Sequence, residues 1–215
     1  SAIYKPLLID LQKSCLEMLS HVNKTPRIRQ SYISLIFGCW FYRVKGYSLN
    51  VIKSLISQFD KENLLCAATS LCEYQRKASL ESNDRRFTSK ECWEKNIQPI
   101  LRLWPRDKKM LTDEIRGQFA LIIFYSGEAM KETYTMLQWA MGVLENTNRF
   151  LFQIRTSPIL SKYPEESLFL IHSLIKIKSL GWGRSVALKN CLERIGNAKP
   201  SLKKEKIYRE LEKMT

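Results

Sequence analysis

The chain has 215 residues, 45% of them hydrophobic, and a formal net charge of +14. That apolar content can bury a core and excludes a disordered polypeptide, while only eight Gly and seven Pro argue against the turn-punctuated short strands of a sandwich or barrel. The longest apolar run, Phe119 to Tyr125, falls far short of the roughly 20 residues a membrane helix needs.

In chain order, Pro6 suits a first helical position, and Leu7, Leu8, Leu11, Cys15, Met18 and Leu19 recur at helical spacing. Thr25-Pro26 repeats the start signal for a second helix, with Ile28, Tyr32, Leu35, Ile36, Cys39 and Trp40 expected inward and a stop near Gly46. Ser48 caps a third helix carrying Leu49, Ile52, Leu55, Ile56 and Phe59. Asp60 caps a fourth through Leu64, Leu65, Ala68, Leu71 and Cys72. The polar stretch from Arg76 to Thr88 reads as a long surface loop or subdomain boundary.

Ser89 restarts the helix. Trp93, Ile97, Ile100, Leu101 and Trp104 share a face, and Pro99 is expected to kink or split the helix before Trp104-Pro105 ends it. Thr112 followed by Asp113 and Glu114 suits the positive end of a helix that runs through Tyr125; Gly127 breaks it, and Met130, Tyr134, Leu137, Trp139 and Met141 mark the next. Later elements are a short segment at Pro158 to Ser161 and a helix opened by Pro164-Glu165-Glu166, with Leu168, Ile171, Leu174 and Ile175 inward. A Gly181-Trp182-Gly183 turn leads to a helix carrying Val186, Leu188, Cys191, Leu192 and Ile195, and a basic helix from Lys203 to Met214 follows. The fold class is therefore all-α, an irregular α-solenoid or HEAT-like array of roughly ten helices. Residues 1–215 form a single helical domain, with a possible subdivision into 1–78 and 88–215 joined by the polar loop.

Catalytic and metal constellations find no support. The two histidines, His21 and His172, have no partner at ligand spacing, and no phosphate-binding loop or nucleophile elbow is written in the chain. Glu165 and Glu166 are consecutive, so a helix aims them apart, and both suit a first turn, as does Glu128 after Gly127. No catalytic residue, metal or cofactor is expected. The six cysteines form no C-x-x-C pair and lie mostly within apolar helical patterns, pointing to reduced thiols and a cytoplasmic protein. The Ser1-Ala2 start is what a piece of a longer polypeptide would show.

The charge is uneven: +4 over residues 1–75, +5 over 76–110, −1 over 111–160 and +6 over 161–215. A neutral central hairpin thus lies between basic flanks, which places it at the buried centre, with Trp104 as a packing anchor. Arg102, Arg106, Lys108 and Lys109 surround the Trp-Pro turn, Arg85 and Arg86 lie in the adjoining loop, and Lys203, Lys204 and Lys206 lie near the end. Phe41 to Tyr47 interleaves aromatics with cations, as single-strand binders do, although the same pattern arises when rings finish a core face and cations reach for water.

The order Ile100-Leu101-Arg102-Leu103-Trp104-Pro105-Arg106-Asp107, a helix from Asp113, and Ser126-Gly127-Glu128-Ala129 resembles the C-terminal helical region of large bacterial antiphage defence proteins. The likeness is to those with an N-terminal sirtuin-like NAD-cleaving domain, and similar tails occur on bacterial NTPase sensors. Tyr163 to Leu168, Leu188 to Gly196 and Pro200-Ser201-Leu202 are similar to the way such regions finish. The likeness covers residues 93–212, roughly half the chain, and departs from the pattern at Gly181-Trp182-Gly183, where a Trp-Pro-Tyr-like turn would stand. It implies a non-enzymatic sensor or scaffold whose protein partner is a phage component or another domain or subunit of the same system, with homo-oligomerisation possible. The catalytic residues of such systems would lie in another domain. The competing reading is a nucleic-acid-binding helical domain with a basic face at Arg102, Arg106, Lys108, Lys109, Arg85 and Arg86.

Overall fold

A computed structural model describes residues 17, 26–42, 48–80, 89–141, 144, 147–175 and 182–215. Every regular element among the described residues is helical, so the chain is all-α. The helices are α1 (Pro26–Phe41), α2 (Leu49–Ile56), α3 (Lys61–Leu80), α4 (Ser89–Cys92, continued through Trp93–Ile97 into Gln98–Leu101), α5 (Asp113–Tyr125) and α6 (Met130–Leu137). There follow α7 (Thr147–Ile154), α8 (Ile159–Lys162), α9 (Pro164–Leu174), α10 (Trp182–Ala198) and α11 (Lys206–Glu212), with 3-10 turns at Lys108–Met110, Gly127–Ala129 and Pro200–Lys204. No described helix is long and apolar enough to cross a membrane. The expected first helix at 6–19, apart from Glu17, together with Thr25, Gly46, His21, Arg85, Arg86 and Gly181, lies outside the described residues.

Local chemistry sets several boundaries. The backbone N–H of Val51 donates to Ser48 Oγ at 3.5 Å, that of Asn63 to Asp60 Oδ1 at 2.8 Å, and that of Ile115 to Thr112 Oγ1 at 3.3 Å. Each side chain thereby takes up an N–H that a helix start leaves without an internal partner. Beyond α5 the chain turns at Gly127, whose φ of 64° lies in the left-handed region that a side chain disfavours.

Pro99 does not split α4. The helix instead widens into a π-helical turn at Trp93–Ile97, closed by the N–H of Gln98 donating to Trp93 O, and then resumes. A proline ring in a regular α-helix would press on the carbonyl four residues back, that of Lys95; the wider turn carries the chain past this conflict.

Packing is organised around α3 and α5, the most extensively packed helix pair among the described residues. On its other side α3 meets α1. Arg29 pairs with Glu62, Gln30 Nε2 donates to Cys66 O at 3.2 Å and to Ser70 Oγ at 2.9 Å, and Tyr74 Oη donates to Ser34 O at 3.1 Å. Positions rise together on the two helices, so α1 and α3 run parallel. Every residue of α5 from Phe119 to Tyr125 is buried, and one contiguous hydrophobic cluster extends from Ile33 to Leu211. An apolar run buried all round needs protein on every side, which α3, α6, α7 and α9 supply.

Ile28 and Leu35, expected inward, are exposed at 54% and 62%, and Val186, which helped mark the later helix, is exposed at 61%. In α1 apolar residues occur over too wide an arc to fix the helix rotation. The hydrogen-bonded seam with α3 fixes it instead and turns Ile33, Ile36, Phe37, Trp40 and Phe41 inward. In α10 the buried face comprises Ala187, Leu188, Cys191, Leu192 and Ile195, at steps of one, three and four residues, and Val186 falls outside it.

Candidate partner-binding site

The connection from α4 to α5 forms an elbow over residues 102–110, anchored by Trp104. This indole is 2% exposed and packs edge-on against Phe119, the ring centroids 5.1 Å apart and the planes at 77°. Such a geometry aligns the positive ring edge with the negative face of its neighbour. Asp107 Oδ1 accepts from the N–H of Lys109 at 2.9 Å and opens the short 3-10 turn. The anchor and turn bring Arg102, Arg106, Lys108 and Lys109 to the surface of one elbow, all four exposed.

Helix α4 lies along the Gly127–Ala129 turn and α6 in a defined register. Lys90 Nζ is 4.0 Å from Glu128 Oε1, Gln98 Nε2 donates to Glu132 Oε1 at 3.3 Å, and the Arg106 guanidinium lies over the Trp139 ring, 5.3 Å from its centroid. The two carboxylates of this seam are thus engaged at its α4 end. At the elbow end, Arg102, Arg106, Lys108 and Lys109 have no carboxylate partner among the described residues. A half-buried indole under a guanidinium, beside half-buried Leu103 and Pro105, joins an apolar platform to a local excess of positive charge.

The other basic features among the described residues lie on other elements. Phe41 is buried and stacked on Tyr74 at 4.2 Å, so it finishes the α1–α3 core and is no platform for bases, although Tyr42 is exposed. Residues 43–47 lie outside the described residues. Lys203 and Lys204 are exposed in the turn before α11, and Lys206 Nζ lies 3.8 Å from Glu210 Oε1. Sequence reading found the cations of the elbow because they are contiguous; it missed Trp139, whose contact with Arg106 depends on the register of α4 along α6.

The nucleophilic and titratable groups elsewhere are engaged structurally. Burial pushes the thiols of Cys92 and Cys191 up to about 12 and that of Cys72 further still, which keeps them protonated and unreactive. His172 Nε2 is 3.4 Å from Glu210 Oε2, linking α9 to α11, and Glu165 pairs with Lys199. The bond from Lys199 holds the Glu165 carboxyl below its ordinary range. No group of three His, Cys, Asp or Glu side chains able to hold a metal occurs among the described residues. A shallow cavity of about 340 Å³ between α6, α9 and α11 mixes Lys131, Glu165 and Glu205 with Leu168, Phe169, Leu202 and Ile207.

Compared with family models, curated proteins and solved structures, the chain has no match.

Proposed function

We propose that this chain is a non-enzymatic sensor or scaffold region, an irregular α-solenoid whose Trp-Pro elbow receives a protein partner. Helices two apart in the chain pack side by side, α1 on α3 and α3 on α5, and the parallel course of α1 and α3 is that of alternate helices in a repeat stack. The observation that carries the binding role is the set of four cations at the Arg106–Trp139 elbow that have no carboxylate partner among the described residues. The resemblance of residues 100–107 and 126–129 to antiphage defence proteins supports a partner that is a phage component or another part of the same system.

The test is affinity capture with the intact chain from infected and uninfected bacterial lysates. A partner retained by the wild-type chain and lost when Arg102, Arg106, Lys108 and Lys109 are all changed to Glu supports the reading. Capture of no partner, or of one indifferent to that change, contradicts it.

The same four cations also favour a second reading, binding to a nucleic-acid backbone, which would weaken steeply as salt is raised.

A further inference from the structure

We propose that the elbow is a clamp for an acidic polypeptide segment, with Arg106 as its central donor and Arg102, Lys108 and Lys109 as the surrounding positive field. This rests on the partner-binding reading above and specifies the chemistry of the partner. Arg106 lies over the indole of Trp139, and a guanidinium held against a half-buried ring loses less freedom when its fork engages an anion. A planar fork presents two parallel N–H donors, the pattern that a carboxylate accepts in bidentate fashion. Leu103 and Pro105, each half-buried, flank this donor on the elbow itself and can seat an aliphatic side chain next to the acidic one.

Three observations favour a polypeptide over a nucleic-acid strand. The Trp139 face that could stack on a base is occupied by Arg106. Phe41, the first ring of the aromatic and basic stretch, is buried in the core. The four cations are concentrated on one short elbow, whereas strand binders combine a basic groove with successive exposed rings. Along the seam Glu128 is met by Lys90 and Glu132 by Gln98, and on the elbow itself Asp107 Oδ1 accepts from the N–H of Lys109.

The experiment measures fluorescence anisotropy of three labelled probes titrated with the intact chain: an oligoglutamate peptide carrying one leucine, an oligolysine peptide of the same length, and oligothymidylate. Oligoglutamate should bind saturably and more tightly than the other two. Arg106→Ala should weaken it on the order of tenfold, the loss of a charge-assisted bidentate contact. Arg106→Lys, which keeps the charge and loses the fork, should weaken it more than Arg102→Lys does. Thermal melts of these surface variants should match that of the parent chain. The proposal is overturned if oligoglutamate does not bind saturably, if oligothymidylate binds more tightly, or if the two lysine variants behave alike. If the peptide result is negative while capture still returns a partner lost on charge reversal, the acidic-segment proposal fails and the partner-binding reading stands; if both are negative, both fail.

Discussion

Gln75 Nε2 donates to the backbone carbonyl of Tyr125 at 3.0 Å, and the hydroxyl of Ser79 donates to the same oxygen. Gln75 is fully buried, so α3 supplies from its own core face the donors that the last turn of α5 lacks. Gln75→Leu removes one of the two donors that α3 aims at this oxygen. The expected cost is about 1–3 kcal/mol, read as a lower urea midpoint with unchanged slope, and an unshifted midpoint would show that the bond does not hold the helix end.

Two glycines, one inside α5 and one just beyond its end, should respond oppositely to alanine. At Gly127, with φ of 64°, Gly127→Ala forces a side chain into the left-handed region and should cost about 1 kcal/mol. At Gly117, inside α5, an added Cβ meets nothing within 4 Å, so Gly117→Ala should stabilise by about 0.5–1 kcal/mol. Equal shifts in melting temperature for the two variants would contradict these assignments.

The two tryptophans near the elbow have separable roles. Trp104, buried against Phe119, is a packing residue, and Trp104→Ala should destabilise the chain by about 3–5 kcal/mol in urea. Trp139, half-buried beneath Arg106, should yield a smaller stability loss on change to Ala together with weaker partner binding. A stability loss at Trp139 as large as that at Trp104 would place both in the core.

Local features of this fold were legible because their causes lie within a few residues. Ser48, Asp60 and Thr112 cap the helices they precede, and the Leu168, Ile171, Leu174 and Ile175 spacing gives the buried face of α9. What escaped the sequence depends on partners distant in the chain. Ile28 and Leu35 look as suited to a core as Ile33 and Phe37, and only the polar seam of Gln30, Ser34, Ser70 and Tyr74 decides which pair faces inward. Pro99 signals a break, but the π-helical turn that absorbs it cannot be read from a proline alone. At the elbow the cations were visible as neighbours, whereas the contacts of Glu128 with Lys90, of Glu132 with Gln98 and of Arg106 with Trp139 depend on how α4 lies along α6.

The start of α5 should confer a dependence on acid. The backbone N–H of Glu114 itself, then the hydroxyl of Thr112, and more weakly the charge of Arg149 hold the Glu114 carboxyl below its ordinary value. A carboxyl depressed in the folded chain contributes stability that is present above the unfolded value and lost as pH falls through the folded one. Melting temperature should therefore fall below the ordinary glutamate range, and less so in Glu114→Gln. Parallel acid profiles for the two chains would exclude Glu114 as a contributor.

The most direct test of the partner-binding account places a photoactivatable side chain at Lys108 on the elbow or at exposed Lys53 on α2, and compares crosslinked products in infected cells. The account predicts a discrete protein adduct from position 108, absent from position 53 and abolished when Arg102, Arg106 and Lys109 are changed to Glu. Equal adducts from both positions, or an adduct at 108 that survives charge reversal, would contradict it.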